Sequence, residues 1–424
     1  MADNYFSSLV QETPAVDVHS HQGVKGVWQA RSLAEILSYH WLRFDLLAVG
    51  APMEDYRVST MDPREQVRRV APYFKLVRNT VNYWCFANLA RDLYGFRDEY
   101  VDEGNWEWLY AAVEAHVEDP NWERHVLDQA GVDQVSAPFH MPARVPERYF
   151  LYETGEYMFC PGLQGNTQQC LAKIGDGPIT SAAGLAEAID ANVRFLVAAE
   201  KIRALHVWAP QSWTYTQVDE GRAETLLHRS LASTHMEQTE QDELVSFAAE
   251  RVAEVCGELG IVVQLFCGVD RMEPGGPHVS YYRPEFLRAL VPFFSRYAET
   301  QFDLFLGTRL LSHEAAVLAR HYPNLWVSGG WWSAFTPSTL TEFFRDRLEM
   351  LPMTKWNAFF SDAYCVEWVY GKSTLTRNRL ALALSDMVEE DLLNRSTAEE
   401  MARRVLYDNP RQLYLKIDSE TCGE

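Results

Sequence analysis

The sequence predicts an α/β chain folded as a (β/α)8 TIM barrel with a large helical insertion after strand one. Three observations predict it. Eight short β-rich runs recur along the 424 residues, helical patterns separate most of them, and polar residues suited to chemistry stand near the ends of the runs. Strand–helix alternation argues a parallel sheet, and eight such units argue a closed barrel, with a doubly wound open sheet as the alternative.

The first run is AVDVHSH (15–21). Side chains i and i+2 of a strand share a face, so His19 and His21 project together, as two ligands of one metal would. An exposed strand end with two unrelated imidazoles is the competing reading. Residues 23–130 read as the helical insertion, dense in aromatic sequence such as VNYWCFANLARDLYGF and NWEWLYAAVEAHV, and are expected to cap the mouth of the barrel. The further strands are read as VDQVSAPFH (132–140), YMFCPGL (157–163), KIRALHVWA (201–209), GIVVQLFCGV (260–269), FDLFLGT (302–308), NLWVSGGWW (324–332) and WNAFFSDAY (356–364). Between them lie helical segments for which Ser181 and Asp242 stand as N-caps and Gly260 as a C-terminal stop. The closing stretch, LALALSDMVEEDLLNRSTAEEMARRVLYDNPRQLYL, reads as terminal helices. Residues 1–424 are read as one domain carrying the 23–130 insertion.

Composition narrows the function classes. With 47% hydrophobic and 23% charged residues, the chain is ordinary globular sequence and can bury a sizeable core. A formal net charge of −21, with no Lys/Arg-rich run, argues against nucleic-acid binding. No apolar run approaches the ~18 residues of a membrane span, and the first residues lack a basic and an apolar signal region, so a cytoplasmic location is expected. The seven cysteines are odd in number, scattered and without a CxxC pair, which speaks against a disulfide framework and a zinc knuckle. Thirteen tryptophans suit either a thick core or an aromatic-lined pocket.

Chemistry in such a barrel collects at the C-terminal strand ends. His19 and His21 stand at the end of strand one and Asp362 at the end of strand eight, which closure makes neighbours. Two imidazoles and a carboxylate leave one position open, the composition of a catalytic rather than a structural site. One divalent metal ion, zinc or manganese, is the expected cofactor; the alternative is that Asp362 merely caps a loop. His206, at the end of strand four, is a candidate base or extra ligand, with a hydrogen-bonded barrel histidine equally open. His313 in LLSHEAAV reads slightly better as a helix start than as a site residue. Arg271 is a candidate anchor for an anionic group, or a surface salt bridge. Trp331, Trp332 and Tyr364 suit pocket walls or packing. Cys267 and Cys365 have no evident base partner, and Glu367 is expected to pair with Arg or Lys.

The HxH on strand one and the Asp on strand eight resemble the amidohydrolase superfamily of barrel metalloenzymes. Within it, the chain is most similar to uronate isomerases over most of its length. VSGGWWSAF (327–335) resembles their Gly-rich, double-Trp strand seven, FFSDAY their strand eight, VVQLFCGVDR their strand five, SYHWLRFD their His-Tyr loop, and YDNPRQLYL their chain end. The run DAYCVEWVYGKSTLTRNRLA also resembles a related set of amidohydrolases. Carried over residue by residue, the resemblance keeps the metal set His19, His21 and Asp362, with His40 and Arg271 as substrate contacts. It implies that Asp362 is both ligand and proton acceptor. Elsewhere the pattern is broken: Trp41 stands for the loop Tyr, Gln164 for the strand-three Arg, Leu205-His206 for the strand-four Asp-His, Phe266 for the strand-five His and Tyr364 for an Arg.

Isomerising a uronate needs a base, an electrophile for the enediolate oxygens and cations for the carboxylate. Gln and Tyr supply neither the charge nor the fork of the two lost guanidinium groups. The sequence therefore places metal-dependent hydrolysis of a small polar or carboxylated molecule first. A uronate isomerase-like reaction, or a decarboxylase or lyase reaction, is the alternative, and a metal-free binding protein comes last. Expected partners are a small-molecule substrate and further copies of the chain, with neither nucleic acid nor membrane.

Overall fold

The computed structural model describes residues 4–23, 28–54, 59–138, 146–159, 167–175, 177–271 and 278–416, with no side-chain description at 271. Eight strands form one sheet: β1 (Ala15–Asp17), β2 (Val132–Pro138), β3 (Tyr149–Thr154), β4 (Ile202–Trp208), β5 (Val262–Cys267), β6 (Gln301–Leu306), β7 (Leu325–Ser328) and β8 (Trp356–Asn357). Their order in the sheet follows their order in the chain. A doubly wound sheet needs a reversal of strand order, so this order excludes that alternative and gives the (β/α)8 fold class. The described pairings are parallel, as in Ala204↔Val262 and Val262↔Gln301. β5 is buried at all six positions, the continuous apolar pattern of a strand covered on both faces.

Three strands differ from the sequence reading: strands one and eight stop at Asp17 and Asn357, so that His19, His21 and Asp362 lie in the segments that follow them, and strand three is displaced. Strand three is YFLYET (Tyr149–Thr154), and the residues first assigned to it begin instead as a short helix, Glu156–Phe159. The aromatic run YFLY is buried throughout, and Gly155 then lets the chain turn tightly. Gly155 N donates to His206 O at 2.7 Å, and a Cβ there would stand 3.3 Å from Val207 Cγ2. Among the helices, Ser181 is an N-cap, accepting from Gly184 N, and Gly260 ends its helix at φ 64°. Asp242 is not a cap. That helix starts four residues earlier, at Gln238, where Glu237 and Glu240 form a capping box. His313 is the exposed second residue of the helix Ser312–His321, as its helix-start reading has it.

The chain divides into two compact units, Met1–Tyr149, Ala334–Phe344 and Ala358–Tyr407 in one, and Phe150–Ser333, Arg345–Asn357 and Asp408–Glu424 in the other. In the first unit, the described residues between β1 and β2 are mainly helical, the longest helix being Val81–Tyr94. The helix Val366–Glu389 packs on Asn4–Glu12, Val81–Tyr94 and Trp122–Ala130. Arg377 of that helix is buried and fixes where β1 and β2 begin. Its Nη1 donates to Val10 O and to Thr13 O (2.7 Å), and its Nη2 donates to Gly131 O (2.8 Å). These carbonyls lie at helix ends, where intrahelical donors run out. Ala15 N donates to the same Gly131 O at 2.9 Å, so the guanidinium and the first residue of β1 share one acceptor.

In the second unit, Gln264, Asp303, Ser328, Asn357 and Tyr414 form a buried polar network. Ser328 Oγ and Tyr414 Oη donate to Asp303 Oδ2, and Asn357 Nδ2 donates to Ser328 Oγ at 2.7 Å. Gln264 Nε2 donates to Tyr414 Oη at 3.0 Å. Burial pushes the Asp303 carboxyl up to about 7, against the lowering effect of its hydrogen bonds. No helix among the described residues is long and apolar enough to cross a membrane.

Candidate metal centre

The two histidines and Asp362 come together in the first unit. Beyond β1 the chain runs on beside residues 358–363: Asp362 N donates to His19 O (3.1 Å) and His21 N to Ala363 O (2.8 Å). Asp17, on the same face as His19 and His21, ties the two segments. Its carboxylate accepts from Ser361 N at 2.8 Å and from Ser361 Oγ at 2.5 Å. Burial pushes the Asp17 carboxyl up to about 7. Ser20 points to the other side and donates to Ser136 O of β2 at 2.6 Å. Within DVHSH, Asp17 at the end of β1 and the two histidines beyond it thus serve the site, while Ser20 ties the segment to β2.

One ligand atom from each of His19, His21 and Asp362 can be chosen so that all three lie within 4.8 Å of one another. His21 Nε2 stands 3.0 Å from Asp362 Oδ1. The other carboxylate oxygen is held by the insertion: His40 Nε2 lies 3.0 Å from Oδ2, and Trp41 Nε1 donates to Oδ2 at 3.3 Å. Burial alone would raise the Asp362 carboxyl, but the charge of His40 and the hydrogen bonds from His21 and His40 hold it well below the usual carboxylate range. His40 is pushed the other way, its imidazole lowered by burial against the pull of Asp362. Asp362 has a left-handed φ of 56°. That conformation is costly for most residues and tolerated by Asp, and strain of this kind gathers where geometry is set for function.

The chemistry of the donor set fits a divalent transition ion. Two imidazole nitrogens and one carboxylate oxygen, close enough for bonds of about 2.0–2.2 Å to one centre, suit zinc or manganese with a position left open. The supporting contacts are of the kind that orient ligands from outside. Aromatic rings line this side of the unit. His40 packs on Tyr39 (4.8 Å), Trp41 (4.3 Å) and Tyr364 (4.9 Å), and Tyr364 also meets His21 at 5.6 Å. Tyr364 is therefore placed against two histidines of the site.

Asp17 and Lys372 escaped the sequence reading. For Asp17 the signal was present, since it precedes His19 by two in a strand. Lys372 lies on the helix after Asp362 and is almost fully buried at 5% exposure, with its ammonium 5.5 Å from the Tyr39 ring centre. Nothing local in VYGKSTL marks it. Glu367 is a correction: its partners are neutral donors and not Arg or Lys. Tyr94 Oη (2.9 Å), Trp122 Nε1 (3.0 Å) and Ala30 N (3.1 Å) all donate to its buried carboxylate. Burial raises the Glu367 carboxyl, which favours a partner set without a cation.

Apart from Cys365, the other candidates lie in the second unit or outside the described residues. His206 is buried on β4, with Nε2 3.4 Å from Glu156 Oε1 and its ring 4.2 Å from Phe266. Glu156, which also accepts from Trp208 N at 3.0 Å, immediately precedes the run read as strand three and was not singled out. Phe266 stacks on Phe305 (4.5 Å) and meets Trp331 edge-on (4.9 Å). Trp331 is buried and packs on Trp208 as well, whereas Trp332 is half-buried. Gly307 admits this packing, since a Cβ there would stand 2.9 Å from Trp331 Cζ3. Gln164 and the Arg271 side chain lie outside the described residues. Burial raises the thiols of Cys267 and Cys365, so neither is a poised nucleophile.

With the site in place, its relatives can be read. No family model matches the chain. By sequence it is 22% identical over 417 residues to a uronate isomerase of Nostoc punctiforme, covering 90% of this chain and 87% of that protein. The chain is a homologue of the uronate isomerases. The fold agrees. Uronate isomerase from Thermotoga maritima superposes with a TM-score of 0.84 at 15% identity, over 97% of this chain and 96% of that one. A putative metal-dependent hydrolase from Lactobacillus casei superposes with a TM-score of 0.62 at 15% identity, over 97% of each. Kinship with uronate isomerases favours the isomerase alternative over the hydrolase placed first from sequence.

Proposed function

We propose that this chain is a metal-dependent isomerase of small polyhydroxylated carbonyl acids, with its site on His19, His21 and Asp362. The observation that carries the reading is this donor set, with Asp362 Oδ2 held by His40 and Trp41, in a chain that matches a uronate isomerase over 90% of its length. A divalent ion held by His19, His21 and Asp362 would supply Lewis-acid polarisation of a substrate oxygen.

The remaining work falls to the chain's own groups. Isomerisation moves one proton between adjacent carbons and another between their oxygens. Asp362, kept ionised by its neighbours, is a proton acceptor at neutral pH. Its contact with His40 Nε2 at 3.0 Å gives that proton a path away from the carboxylate without free water. The Trp41 indole donates to the same oxygen and fixes which face of the carboxylate is presented. The rings of Tyr39, Trp41 and Tyr364 around His40 exclude water from this path.

The test is proton exchange at C2 of D-glucuronate and D-galacturonate in D2O, followed by NMR with the zinc- and manganese-loaded protein. Metal-dependent exchange with formation of the keto acid is the expected result. His19→Ala and Asp362→Ala should each lose the metal, and with it the activity. Hydrolysis of lactones or amides by the loaded protein, with no C2 exchange in either acid, would return the hydrolase reading to first place.

A further inference from the structure

Lys372 is a buried ammonium that lacks an anion. It is 5% exposed, and among the described residues no carboxylate, carbonyl or hydroxyl forms a hydrogen bond or ion pair with it. Its Nζ faces two ring systems instead, Tyr39 at 5.5 Å and Phe335 at 5.8 Å from their centres. Ring faces attract a cation, but they do not offset the loss of water around an unpaired buried charge. The nearby acidic groups are engaged elsewhere. Asp45 accepts from Asn82 Nδ2 at 2.9 Å, and both oxygens of Asp362 face His21, His40 and Trp41. The thiol of Cys85 is pushed up to about 11 by burial and stays neutral.

The rings beside Lys372 belong to the metal centre's own support. Tyr39 immediately precedes His40, and its hydroxyl donates to Ser361 O, one residue before Asp362. Phe335 packs against Trp41 at 4.1 Å. The ammonium thus shares both its neighbours with the groups that hold Asp362 Oδ2. On this side of the site Tyr364 stands where the uronate isomerase pattern has an arginine, and it brings no charge.

We propose that Lys372 is the anion anchor of this site, its ammonium receiving the carboxylate of the substrate beside Tyr39 and Phe335. This rests on the isomerase reading for the substrate class, a monocarboxylated polyhydroxy compound. It differs from a guanidinium anchor in kind. A lysine offers a point charge on a flexible stem, so it holds one carboxylate oxygen without demanding fork geometry. Substrates that differ in how the carboxylate is turned should therefore be accepted alike.

The experiment is calorimetric binding to the zinc-loaded protein of D-glucuronate and D-galacturonate, against neutral D-glucose and D-galactose. Wild type should prefer the acids by about ten- to a hundredfold, the range of a hydrogen bond to a buried charge. Lys372→Met, close to lysine in volume, should abolish the preference while zinc content stays the same, and Lys372→Arg should keep part of it. Melting temperatures measured alongside separate the roles. A preference retained in Lys372→Met, with or without a lower melting temperature, makes Lys372 structural and overturns the proposal, as does a wild type with no preference. Acids that bind through Lys372 without C2 exchange would sink the isomerase reading and leave the anchor standing. C2 exchange with an unchanged KM in Lys372→Met would do the reverse.

Discussion

Replacing Arg377 by Met tests the hub that fixes where β1, and hence His19 and His21, begins. The guanidinium makes four hydrogen bonds, to Val10 O, Thr13 O, Gly131 O and Ser373 Oγ. At about 1.5 kcal/mol for each bond from a charged donor, their gross value is about 6 kcal/mol. Burial opposes this, pushing the group down from the usual arginine range to about 10. A shift of that size corresponds to about 3 kcal/mol of lost solvation. The net is about 3 kcal/mol, which for a chain of this length lowers the melting temperature by about 3 °C. Gly131 supplies an internal control. Its φ is 64°, and a Cβ there would lie 2.7 Å from Arg377 Nη2. Gly131→Ala alone should cost about 1 kcal/mol of backbone strain plus about 1–2 kcal/mol for displacing the guanidinium; in the Arg377→Met background only the strain remains. Differential scanning calorimetry of the four proteins reads both effects. Additive costs, or an Arg377→Met protein that melts with wild type, would refute the reasoning.

Two more predictions concern groups described above. Trp41→Phe removes the indole donor from Asp362 Oδ2 and keeps the ring packing, so C2 exchange should fall by about fivefold, the loss of one hydrogen bond, with metal content unchanged; loss of the metal would contradict the role given to Trp41. Asp303 binds its proton more tightly folded (about 7) than unfolded (3.8), so its contribution to stability is full below pH ~4 and is lost as pH rises through ~7, about 4 kcal/mol in all. Asp303→Asn should melt higher than wild type at pH 8 and show a flatter dependence between pH 4 and 8; parallel pH profiles for the two proteins would show that Asp303 is ionised at no such cost.

Much of this was legible in the sequence, for reasons that differ by residue. His19, His21 and Asp362 were readable because strand alternation and barrel closure are rules of backbone geometry that need no side-chain detail. Seven of the eight strand runs were readable because β-branched and aromatic residues cluster between turn residues. Strand three was misplaced because YFLYET and YMFCPGL, separated by two residues, carry the same apolar signal, and only the tight turn at Gly155 decides between them. The capping box at Glu237 was overlooked because Asp is a stronger N-cap than Glu, and the Asp five residues on drew the assignment. Glu367 drew an assignment of cationic partners, yet its donors come from Ala30, Tyr94 and Trp122, far along the chain. Lys372 was invisible for the same reason: a lysine in a helix reads as a solvated face until the neighbouring elements are in place.

The positions of the ligands in the chain have a consequence for how the centre is born. His19 and His21 are made first, and Asp362 follows His19 by 343 residues. At about 5–20 residues per second, a ribosome needs roughly 17–70 s to cross that interval. Throughout it the nascent chain displays a pair of imidazoles with no carboxylate to complete them. A centre that uses all three groups is therefore complete only once residue 362 has been made, and a chain interrupted before it carries the opening of the site without its close.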